Sequence, residues 1–99
     1  YGSICDALQV AMPGELTFDI NKRLLVGGIT VTDEDVKNAV FAAFADACLV
    51  VEPGGAAGLA AAMKENDLMS GQTICIVLSG GNVDPTLFAE IISDGAAML

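Results

Sequence analysis

The chain has 99 residues, a net charge of −9 and no histidine, and 54% of it is hydrophobic against 17% charged. That length holds one domain with a modest core. The four cations, Lys22, Arg23, Lys37 and Lys64, are too few and too scattered to neutralise nucleic-acid phosphates, and the lack of histidine removes the usual general base and metal ligand.

No apolar run approaches the length of a membrane span. Three cysteines, Cys5, Cys48 and Cys75, show no C-x-x-C spacing and read as reduced thiols, which with the acidic surface implies a cytoplasmic protein. The chain opens on Tyr1 rather than Met, so a piece of something longer is expected, with much apolar surface packing on chain outside it.

Residues 3–10 are mildly apolar, and Met12-Pro13-Gly14 marks a break. Residues 15–25 carry Leu16, Phe18, Ile20, Leu24 and Leu25 at helical spacing, with Glu15 early and Lys22 and Arg23 late, as the helix dipole prefers. Gly27-Gly28 should stop that helix. Residues 29–31 form a short strand candidate.

Thr32 with Asp35 three residues on is a capping-box variant, and Val36, Val40, Ala43, Phe44 and Ala47 carry the helix to about Ala47. Residues 49–51 form a second strand candidate. Glu52-Pro53-Gly54-Gly55 follows, and residues 56–63 form a small-residue helix that implies close neighbours.

Residues 66–72 are expected as a loop into the strand of residues 73–78, whose unbroken apolar run suggests burial on both faces, with Cys75 a small core residue. Asp84-Pro85 starts a last helix to about Ile92, and residues 93–99 should fray. Strand and helix alternate, which predicts an α/β fold with an open, mostly parallel sheet and flanking helices.

Three features should meet at the strand ends: Ser79 with Gly80 and Gly81, Glu52, and the glycines at 54, 55 and 58. At a strand's carboxyl end glycines let a flat ligand approach the backbone. Singly these signals are weak: Ser-Gly-Gly-Asn is a common turn, and Glu52 could be a solvated carboxylate. No Gly-Lys-Ser/Thr follows, so this is not a nucleotide phosphate loop.

Taken in order, S-I-C-D-A at 3–7, P-G-E-L-T-F at 13–18, V-T-D at 31–33, V-E-P-G-G at 51–55 and L-S-G-G-N-V at 78–83 closely resemble the C-terminal part of threonine/serine dehydratases. These are pyridoxal-phosphate enzymes of the tryptophan synthase β-like fold, a group that includes serine racemases, and the resemblance spans about residues 3–92. It implies that Ser79 hydrogen-bonds the cofactor's pyridine nitrogen, with Gly80 beside it. It implies too that Glu52 lies near the phenolic side of the ring. Asp6 and Ala7 should lend backbone near the cofactor, at a pair that is commonly Asp-Gly in relatives. A neutral hydroxyl leaves the ring nitrogen essentially unprotonated and the ring a weaker electron sink, which suits loss of a β-hydroxyl better than transamination.

The family's Schiff-base lysine lies in an S-x-K-x-R motif that none of Lys22, Lys37 and Lys64 occupies, and its phosphate-gripping tetraglycine loop and cation-binding carboxylates are also unmatched. The segment therefore implies one wall of a site, the C-terminal part of a catalytic domain, with no catalytic or metal-binding residue of its own. The resemblance implies an L-threonine/L-serine ammonia-lyase, a homo-oligomer acting on an amino-acid substrate to give a 2-oxo acid and ammonia. A serine racemase or another hydroxyamino-acid dehydratase is the alternative within the family, and a non-catalytic α/β binding module is the alternative outside it. Alone, the 99 residues are expected to be inactive and prone to associate.

Overall fold

A computed structural model describes residues 2–64, 67 and 69–99. After a single 3₁₀ turn at Asp6–Leu8 come α1 (Glu15–Leu24), α2 (Asp33–Ala47), α3 (Pro53–Met63) and α4 (Pro85–Ala97). The second of these is the centre of the molecule, because α3 and α4 both pack on it.

Three of the four α-helix starts have a local cause. At α2 the Asp35 N–H donates to Thr32 Oγ1 at 3.1 Å and the Thr32 N–H donates to Asp35 Oδ2 at 2.8 Å, so the shorter aspartate closes a full capping box. At α4 Asp84 Oδ2 accepts the Leu87 N–H at 2.9 Å, with Pro85 in the first turn. At α3 Pro53 takes the first helical position, three residues ahead of the expected start, since its missing N–H is one that a helix start leaves unpaired anyway.

The ends differ more from expectation. Leu25 turns extended at ψ 133°, so α1 stops before Gly27 and Gly28 are reached. Cys48 closes α2 in the left-handed region at φ 57°, its N–H donating to the Ala43 and Phe44 carbonyls. The last helix runs on through Ala97, so most of the segment expected to fray is helical.

Val36, Ala39, Val40 and Ala43 supply the inner face of α2, Ala56 and Ala60 that of α3, and Ile91 that of α4, while Cys5 and Val51 complete the core. The small residues of α3 allow the close approach that their pattern implied. Phe44 and Phe88 meet edge to face with centroids 5.7 Å apart, outside the buried core. On α1, Lys22 pairs with Asp19 at 3.0 Å. Its apolar stripe of Leu16, Ile20 and Leu24 stays exposed, and among the described residues α1 packs on no other helix.

The expected open, mostly parallel sheet is absent: among the described residues there is no strand. Residues 29–31, 49–51 and 73–78 are irregular, although the Glu52 N–H does donate to the Gly80 carbonyl at 3.0 Å. A β-branched run fits a pleated surface but does not supply the partner that makes it a strand. The same correction reaches Cys75, which is exposed rather than in the core. Of the expected loop at 66–72, residues 66 and 68 lie outside the described residues and 67 and 69–71 are turn.

Candidate functional site

The start of α3 gathers the residues singled out above. Glu52 is its N-cap, with extended backbone and no side-chain capping bond, which leaves its half-buried carboxylate for other contacts. That carboxylate lies over Gly80. A Cβ built at Gly80 would sit 2.5 Å from Glu52 Oε1, and Gly80 has φ +80°, so both space and backbone demand glycine there. At Gly55 a Cβ would overlap the Ser79 carbonyl, so the absent side chain lets the 76–81 segment lie directly on the first turn of α3.

On the other side, Ala7 Cβ and Leu8 Cγ come within 3.7 and 3.5 Å of the Cβ position of Gly54. The four candidates thus converge: Ser79, Gly80 and Ala7 are exposed around the half-buried Glu52, all at one end of α3. The groups gathered are a hydroxyl, a carboxylate and glycine backbone. A hydroxyl is a neutral hydrogen-bond partner and a carboxylate a charged acceptor, and neither is a cation that would grip a phosphate.

A cavity of about 750 Å³ lies elsewhere, lined by Ile29, Val31, Ala61, Ile74 and Ile76 among others. Its walls are mostly apolar and include none of the four candidates.

An unanticipated set of bonds ties residues 2–9 to one another and to the start of α2. Ser3 Oγ donates to Asp33 Oδ1 at 2.6 Å and accepts the Cys5 N–H at 3.1 Å, and the Ile4 N–H donates to Asp33 Oδ2 at 3.2 Å. Gln9 Nε2 donates to the Ser3 carbonyl at 2.8 Å, and the Gly2 N–H to Gln9 Oε1 at 2.7 Å. Ser3 and Asp33 stood in two of the motifs quoted above, yet nothing in the sequence linked them across thirty positions. Beside them the buried Cys5 thiol has its pKa raised, chiefly by burial and partly offset by Ser3, with the Asp33 and Asp6 charges adding to the rise.

The chain matches the family described as "Pyridoxal-phosphate dependent enzyme" over residues 2–80 and belongs to that family, whose cofactor is pyridoxal phosphate. It is 33% identical over 93 residues to the L-threonine ammonia-lyase of Thermotoga maritima, covering 94% of this chain and 23% of that protein. It is 31% identical over 96 residues to a catabolic L-threonine dehydratase of Staphylococcus aureus, covering 94% of the chain and 28% of the relative. The chain therefore spans about a quarter of the length of these relatives. No solved structure matches it. Among the described residues no helix is long and apolar enough to cross a membrane.

Proposed function

We propose that this chain forms one wall of the cofactor site of an L-threonine/L-serine ammonia-lyase, as the C-terminal part of its catalytic domain. The observation that carries the reading is the convergence of Ser79, Gly80, Glu52 and Ala7 at the start of α3 in a chain of this family. The relatives named for threonine deamination favour that substrate class. In this reading the intact protein is a cytoplasmic homo-oligomer. The 99 residues alone, with no lysine in the family's context, have no activity.

The hydroxyl, carboxylate and glycine backbone fit the ring of pyridoxal phosphate, and the phosphate grip falls to other residues. When bound, the cofactor withdraws electrons from the Cα of an attached amino acid and so acidifies its proton. Ser79 holds the ring nitrogen with a neutral hydroxyl, which moderates that withdrawal. Glu52 keeps Gly80 in its left-handed turn and presents negative charge that disfavours a phosphate at this end of the helix. Ala7 and Leu8 close the side of the wall next to Gly54.

The test is substitution at Ser79 in the protein that carries this chain. Ser79→Ala removes one hydrogen bond to a neutral acceptor and should weaken cofactor binding by about 0.5 to 1.5 kcal/mol. Ser79→Asp should favour a protonated ring nitrogen, shift the cofactor's absorption and divert turnover from elimination toward transamination. Normal elimination with an unchanged spectrum in the aspartate variant would refute the placement of Ser79 at the ring nitrogen.

A further inference from the structure

The start of α2 is satisfied without Asp33, because Thr32 and Asp35 cap each other there. The Asp33 carboxylate faces residues 3–5 instead, and both its oxygens accept hydrogen bonds from that segment, one from the Ser3 hydroxyl and one from the Ile4 N–H. Bonds to an ionised acceptor are shorter and stronger than neutral ones, and the 2.6 Å Ser3 contact fits that class. Its place in the first turn of α2 also favours the negative charge.

The second link is Ser3, whose hydroxyl passes the constraint on to the Cys5 N–H, and whose carbonyl is taken by Gln9. Residues 3–9 are thereby closed on themselves, with Cys5 seated in the core and the Leu8 N–H bonded to the Cys5 carbonyl at 3.0 Å. The free end of this clasp is Ala7 and Leu8, the part that lies against Gly54. Asp33 thus grips the segment from α2 while its far side rests on α3.

We propose that Asp33 is a positioning residue for the cofactor site: through Ser3 and Ile4 it sets where Ala7 and Leu8, whose side chains meet Gly54, stand beside the start of α3, and so how that segment is placed relative to Ser79. The inference rests on the function proposed above. It separates Asp33 from its neighbour Asp35, which is equally near the α2 terminus but serves the helix cap.

The experiment compares Ser3→Ala, Asp33→Asn, Ser3→Thr and Asp35→Asn in the protein that carries this chain. Pyridoxal-phosphate affinity of the apoprotein, thermal midpoint and amide exchange over residues 5–9 are measured for each. Ser3→Ala and Asp33→Asn should raise exchange at those amides and weaken cofactor binding about tenfold, the equivalent of one charge-assisted bond. Ser3→Thr keeps the hydroxyl and should restore affinity to within about twofold of the parent. Asp35→Asn should lower the thermal midpoint and leave affinity within about twofold, because it loosens the cap and not the clasp. The inference is overturned if Ser3→Ala and Asp33→Asn bind the cofactor as the parent does, or lose no more affinity than Asp35→Asn at equal loss of stability. Failure of the parent protein itself to bind pyridoxal phosphate would instead sink the proposed function, and unchanged exchange in Asp33→Asn would show that the clasp does not hold the segment.

Discussion

Replacing Gly80 by alanine probes the contact on which the site's geometry turns. Two costs add. An L residue held at φ +80° costs about 1 to 2 kcal/mol. The new Cβ would also sit 2.5 Å from Glu52 Oε1 and 2.6 Å from its Cδ, and the carboxylate must rotate away from its preferred position at about 0.5 to 1.5 kcal/mol. Gly80→Ala should therefore destabilise the protein by roughly 1.5 to 3.5 kcal/mol. In a Glu52→Ala background the second cost vanishes and the loss should shrink to about 1 to 2 kcal/mol. Denaturant midpoints of the apoprotein in all four combinations give the coupling, provided the slopes of the transitions agree. Equal losses in both backgrounds would mean that Glu52 does not lie over Gly80. A loss within about 0.5 kcal/mol, ordinary for an unconstrained surface position, would mean that the turn is not left-handed.

Two further outcomes follow from the surroundings of single groups. Bonds from the Thr32 backbone N–H and hydroxyl, aided by Lys64, hold the Asp35 carboxyl below its ordinary value of 3.8. A depressed carboxyl stabilises the fold above its ordinary value and ceases to as pH falls through the depressed one, so the stability gap between parent and Asp35→Asn should close in acid below about pH 3.8. A gap that is flat with pH would refute the assignment. Burial keeps the Cys5 thiol protonated and out of reach, so alkylation of the 99-residue chain near neutral pH should modify the exposed Cys48 and Cys75 first and Cys5 only on unfolding. Labelling of Cys5 at the same rate as the other two would place it outside the core.

The candidate residues were legible in the sequence because they stand in short motifs, and the structure shows where each of them lies. Ser79-Gly80, Glu52 and the Asp6-Ala7 pair were marked as candidates, and the structure brings Ser79, Gly80, Glu52 and Ala7 to one end of α3. The reason they meet was only partly visible: Gly55 was recognised as part of a glycine-rich helix start, but its direct contact with the Ser79 carbonyl depends on how segment 76–81 lies across α3. The clasp between Ser3 and Asp33 left no trace in the sequence, since a serine and an aspartate thirty positions apart carry no period and no spacing rule.

The starts of α2 and α4 were determined locally. Thr32 with Asp35, and Asp84 beside Pro85, satisfy their own helix starts within one turn, through partners that lie three residues apart in the sequence. Tertiary structure decided what the strand-like runs became: residues 29–31, 49–51 and 73–78 have the composition of strands, but a strand's hydrogen bonds belong to its neighbour, and within the described residues no neighbour completes them. It also decided which apolar faces are core, burying Val36 and Val40 against α3 and α4 while Leu16 and Leu24 stay exposed, because periodicity records that a face is apolar and burial requires a second surface to meet it.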